Sequence, residues 1–149
     1  MATNSISMTA TNVKGLPGVR VQRMDAGGTI YAGESCYIGS DGDVVRTDAD
    51  GSLSAMAFGV VIAGEPDSGG TVFVDGNRVD VVTYGPVTGY ASLTPGLPVY
   101  ASTLAGQMQQ AETFVTGDYI TEIGMAVNTT TILVNPIRHL GPAEDGTHA

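Results

Sequence analysis

One pattern occurs twice in this chain. The first copy runs Gly33-Glu34-Ser35-Cys36-Tyr37-Ile38, a Gly-rich turn, Val44-Val45-Arg46, and then Phe58-Gly59-Val60-Val61. The second runs Gly96-Leu97-Pro98-Val99-Tyr100-Ala101, a turn at Gly106, Met108-Gln109-Gln110, and then Ile123-Gly124-Met125-Ala126-Val127. Gly33 aligns with Gly96, Tyr37 with Tyr100, Gly42 with Gly106 and Gly59 with Gly124. An apolar run follows each copy, Val72-Phe73-Val74 in the first and Ile132-Leu133-Val134 in the second. Matching positions carry no reactive side chains, so the repeat reads as a built surface and not as an active site.

The repeat constrains the fold class. Strand signals recur every 8–12 residues or so with turn residues between them, the spacing of a sandwich or barrel. Ser40-Asp41-Gly42-Asp43 between apolar runs is a hairpin signal, because such turns need positive φ. Asp50-Gly51 and Asp75-Gly76 read as further turns, Glu65 to Gly70 as a loop, and Ser52 to Ala57 as a strand or a helical turn. No window gives an amphipathic helix. High Gly, at 21 residues, with Val, Thr, Tyr and Ile over Glu, Lys and Leu favours turns and strands. The expected architecture is all-β: a small β-barrel, β-tulip-like or sandwich domain with an internal duplication, two similar strand sets closing on one core and so removing exposed edges. Pro86 lacks an amide hydrogen and is expected outside any central ladder.

A chain of 149 residues is the size of one domain and buries a proper core without disulfides. The expected division is an N-terminal arm over 1–14, one β domain over 15–140 with duplicated units at about 31–83 and 94–138, and a flexible C-terminal tail over 141–149. Residues 1–12 are small and polar apart from Ile6 and Met8, a pattern open to two readings: a disordered tail, or an arm that orders against a neighbouring subunit.

Net charge is −9, which argues against nucleic-acid phosphate or an anionic membrane as a direct partner. No stretch approaches the ~20 apolar residues of a membrane-spanning helix. No charged segment followed by an apolar one opens the sequence, so the expectation is a chain made and assembled in a cytoplasm. Cys36 is the single cysteine and sits in an apolar run, where it reads as a small buried hydrophobe. The two histidines, His139 and His148, lie near the C-terminus, away from it.

Catalytic patterns are missing. Asp48-Ala49-Asp50-Gly51 begins like a Ca²⁺ loop, but Ala57 stands where a bidentate Glu belongs. There is no Gly-x-Ser-x-Gly elbow, no zinc spacing and no phosphate-binding loop ahead of a helix. A carrier domain would need its lysine at a hairpin tip, and Lys14 lies outside both copies. Tyr31, Tyr37, Tyr84, Tyr90 and Tyr100 could form a stacking platform; the equivalence of Tyr37 and Tyr100 favours packing. The chain is therefore expected not to be an enzyme and to hold neither metal nor cofactor.

The run Ala32-Gly33-Glu34-Ser35-Cys36-Tyr37-Ile38-Gly39-Ser40-Asp41-Gly42-Asp43-Val44, followed by Ala57-Phe58-Gly59-Val60-Val61, resembles the capsid decoration, or cement, proteins of tailed bacteriophages. Those sequences show a Gly-x-x-Val-Tyr strand, an Asp-Gly turn and a Gly-Val-Ala strand. Cys36-Tyr37 takes the Val-Tyr place here, and Val99-Tyr100 fits it outright. The likeness extends in style over roughly residues 15–138. It implies a head-stabilising virion protein, made in the host cytoplasm, that binds the outer capsid surface. It also implies a homo-oligomer, trimer favoured, that bridges neighbouring major capsid protein subunits. Ile6, Met8, Val13 and Leu16 are the candidate capsid or subunit contacts, because Ile6, Met8 and Val13 lie outside both repeats with no obvious core of their own. The alternative is a host-surface or glycan-binding virion module, with loops 64–71 and 84–92 carrying recognition. A nucleotide hydrolase and a coat or tail-tube protein fit the sequence less well.

Overall fold

The computed structural model describes residues 6–49, 56–64, 71–110, 118–136 and 141–142. The expected features at 1–5, Asp50-Gly51, 52–55, 65–70, 137–140 and 143–149 lie outside them. Among the described residues the protein is all-β, with one short 3₁₀ turn at Ala10–Asn12 and no α-helix. The strands are β1 (Ser7–Met8), β2 (Lys14–Gly15), β3 (Arg20–Asp25), β4 (Ile30–Tyr31), β5 (Ser35–Ile38), β6 (Val44–Arg46), β7 (Gly59–Gly64) and β8 (Val72–Phe73). They continue with β9 (Arg78–Thr88), β10 (Tyr90–Ala91), β11 (Pro98–Ala101), β12 (Met108–Gln109), β13 (Tyr119–Ile120), β14 (Glu122–Ala126), β15 (Thr131–Val134) and β16 (Gly141–Pro142).

Ten of these form one curled antiparallel sheet in the order β12-β11-β14-β15-β9-β7-β5-β6, with β2 and β3 both added to β9. The eleven-residue β9 is its spine. Its first half pairs with β7 and β3, and its second half, beyond Gly85 at φ +119°, pairs with β15 and β2.

The sequence repeat is a repeat of register. Tyr37 faces Val45 and Ile38 faces Val44; Tyr100 faces Gln109 and Ala101 faces Met108. Cys36 faces Gly59 just as Val99 faces Gly124. The glycines explain themselves in pairs. Gly33 and Gly96 (φ +94° and +86°) and Gly42 and Gly106 (φ +89° and +77°) occupy the left-handed region that side chains disfavour. Gly59 and Gly124 lie in strands so close to the next one that an added Cβ would run into the carbonyl of Val82 or of Leu133.

Four expectations need correcting. Val72-Phe73 is not the counterpart of Ile132-Leu133. Among the described residues it pairs only with β4, and Val81 and Val82 of β9 take that place, opposite Val61 and Val60. Pro86 does sit inside the sheet, between Leu133 of β15 and the end of β2. Its carbonyl accepts the Leu16 N–H at 2.9 Å. In an antiparallel ladder the N–H and C=O of one residue point the same way, so the missing donor falls where β2 stops and one ladder bond is lost at most. The N-terminal segment is no free arm from residue 6 onward. β1 pairs with β10 and β2 with β9, while the Ile6 N–H donates to the Met108 carbonyl at 2.8 Å. At the other end, Gly141 and Pro142 of the expected tail pair with β13.

The main core is built from inward-facing residues of both units, among them Cys36, Val60, Val81, Phe73, Val99, Ile123 and Ile132. A second small cluster joins Ala49, Tyr100 and Ile120.

Candidate interaction surface

The two ends of the sheet meet along a seam. The Ser35 N–H donates to the Gly106 carbonyl (2.9 Å), the Gly106 N–H to the Thr47 carbonyl (2.7 Å) and the Ala49 N–H to the Ser102 carbonyl (3.1 Å). The Ser35 and Thr47 hydroxyls bond to each other. Beside them Glu34, almost fully buried, receives both Nε (2.9 Å) and Nη2 (2.8 Å) of Arg46 and the Tyr31 N–H (2.9 Å). The Arg46 guanidinium also lies over the Tyr31 ring, 5.5 Å from its centre. The buried carboxylate is tolerated because its oxygens are satisfied by donors in fixed geometry, while the Arg46 side chain stays 30% exposed. Gly106 makes room for it: a Cβ there would lie 2.7 Å from Glu34 Cδ. In the second unit Gln110 takes the position of Arg46 and does the same work with neutral groups. It accepts the Thr94 N–H at 2.8 Å and donates to the carbonyls of Thr94 and Leu97 at 3.0 and 3.2 Å. Nothing local in the sequence marks Glu34 or Arg46 as facing each other.

Of the four candidate contact residues one lies inside and three are half-buried. Val13 is 8% exposed and part of the main core; Ile6 and Met8 pack against it half-buried, and Leu16 is half-buried beyond β2. Val13 reaches the backbones of Gly33 and Gly89, and Met8 lies against Gly33. The absence of an intramolecular core, the ground for choosing Ile6, Met8 and Val13, does not hold. With Gly106 and Met108, Ile6 and Met8 instead line a pocket of about 220 Å³ beside Tyr90. The Tyr90 hydroxyl donates to the Gly33 carbonyl (2.9 Å), and its pKa is driven up by burial and then by the charge of Glu34. Cys36 is buried, and burial pushes its thiol up to about 12. No metal-binding group of three or more His, Cys, Asp or Glu occurs among the described residues.

Apolar surface does remain outside. Pro98, Met125, Leu133 and Pro86 stand directly opposite one another across β11, β14, β15 and β9. They form an uncharged row on the outer face, with Met125 41% exposed and Val127, two residues further on that face, 46% exposed. The first unit has no such row: Val60, at the position of Met125, and Val82, at that of Leu133, are fully buried. The signal was present in the sequence as Met125 and Val127 alternating with Gly124 and Ala126. Only the register shows that Pro98, Leu133 and Pro86 extend it into a stripe.

No known family model matches the chain, and no curated protein matches it significantly.

Proposed function

We propose that the protein is a structural virion component that binds the outer surface of a tailed-phage capsid and stabilises the head by bridging neighbouring major capsid protein subunits. The resemblance of both repeats to decoration proteins suggests the class. The observation that carries the reading is the outer row of Pro98, Met125, Leu133 and Pro86, an uncharged stripe on a chain of net charge −9. Met125 is exposed and Pro98, Leu133 and Pro86 are half-buried beside it, and apolar side chains grouped this way on an outer face mark a place where another macromolecule sits. The row replaces the N-terminal residues as the capsid contact. The protein acts without catalysis, cofactor or metal. As a homo-oligomer, trimer favoured, it sets several such rows on one capsid at once, so weak single contacts become durable through effective concentration.

The test is co-sedimentation of the purified chain with undecorated heads, followed by heating. Pelleting with heads and a raised temperature of DNA release support the proposal. A chain that stays in the supernatant but binds host cells or a glycan array moves the function to the host-surface reading.

A further inference from the structure

The two units place a tyrosine at the same register and finish it differently. Tyr100 is 2% exposed, closed over by Ala49 and Ile120. Ala49 belongs to the first unit, and the seam holds it there: its N–H donates to Ser102, and its carbonyl accepts the Tyr119 N–H at 2.7 Å. Tyr37 is left half-buried in the wall of an open apolar hollow of about 570 Å³, lined also by Ile38, Met56, Ala57 and Phe58. Ile38 is 45% and Met56 41% exposed. The hairpin turn at the rim is acidic. Asp41 lies against Gly39, and Asp43 feels the charges of Asp41, Asp25 and Asp75.

This chain has only six basic residues, and two of them, Arg20 and Arg23, flank Val21 on β3. Val21 is 46% exposed. Among the described residues β3 has a strand neighbour on one side only, β9, and Arg20 makes no ion pair. Such an edge offers backbone and side chains to a partner.

We propose that the hollow over Tyr37 is the docking site for a second copy of this chain, which presents β3 so that Val21 enters the hollow and Arg20 meets Asp41 and Asp43. The contact over Tyr100 is the template: there this chain's own polypeptide covers the equivalent ring. Opposite charge fixes the orientation and speeds encounter. The contact joins two different surfaces, so it is head-to-tail and propagates into a closed ring or a filament. This inference does not depend on capsid binding and survives if heads are not the partner.

The experiment uses full-length Val21→Cys and Ile38→Cys variants, each alone and mixed one to one, under mild oxidation, with light scattering on the wild type. Cys36 is buried and does not interfere. The expected result is an oligomer in solution and a covalent dimer in the mixture, with neither variant crosslinking alone. Arg20→Glu weakens assembly about tenfold or more, and Asp41→Arg added to it restores it. A monomeric wild type, a single variant that crosslinks by itself, or an oligomer whose mixed variants do not crosslink overturns the proposal.

Discussion

Val13→Ala asks whether the N-terminal segment belongs to the fold. Val13 is 8% exposed, and its Cγ2 lies where a Cβ on Gly33 or Gly89 would meet it at 3.0 or 2.8 Å. The substitution removes two buried methyl groups, worth about 1.6 kcal/mol at roughly 0.8 kcal/mol per buried carbon. Its glycine neighbours have no side chains to move into the space, so a cavity cost adds and the total reaches about 2–2.5 kcal/mol. With an m-value of about 2 kcal/mol per molar, the urea midpoint falls by about 1 M. The assay is equilibrium unfolding followed by circular dichroism and tyrosine fluorescence, with m required to stay constant. A midpoint within about 0.25 M of wild type, the scatter of a surface substitution, would refute the docking of this segment. It would also return Val13 to the list of free contact residues.

Gly124→Ala and Gly59→Ala each push a Cβ into a neighbouring strand carbonyl and should each cost about 1–3 kcal/mol in urea unfolding; a neutral result at either site breaks the equivalence of the two units. Cys36, with its thiol raised to about 12, should resist Ellman's reagent in the folded protein at pH 8 and react only at the rate of unfolding; fast stoichiometric labelling contradicts its place in the core. Asp43 titrates above its ordinary value, through lost hydration first and then Asp41, Asp25 and Asp75. The folded state therefore holds that proton more tightly than the unfolded chain, and stability falls as pH rises through the raised value. On the Arg20→Glu background, which removes the proposed intersubunit partner, Asp43→Asn should melt higher than its parent at pH 7 and match it below about pH 4; equal melting temperatures at pH 7 would sink the assignment.

What the sequence revealed was what short-range chemistry encodes. The hairpin at Ser40-Asp41-Gly42-Asp43 needs positive φ at one residue, and Gly42 supplies it. The glycine at position 59 and its repeat at 124 stand where strands approach, so their spacing survived as a visible pattern. The all-β class followed from the same turns. Missed were the contacts set by chain closure. A rule about donors keeps Pro86 out of a central ladder, but whether a donor is needed depends on where β2 ends. Val72-Phe73 looked like Ile132-Leu133 by hydropathy, and only the pairing of β9 with both units shows otherwise. The Glu34–Arg46 pair depends on Gly106 arriving from the other unit, 72 positions after Glu34. Met125 and Val127 alternated legibly, yet their neighbours in the outer row come from three other strands.

The most direct test of the proposed function is a binding titration of Met125→Glu against wild type on undecorated heads. Met125 is 41% exposed, so a charge there leaves folding intact, and an unchanged urea midpoint verifies this. The account predicts that head occupancy at a given concentration drops as if affinity had fallen about tenfold or more, as when an interface anchor is lost. Occupancy indistinguishable from wild type would contradict it.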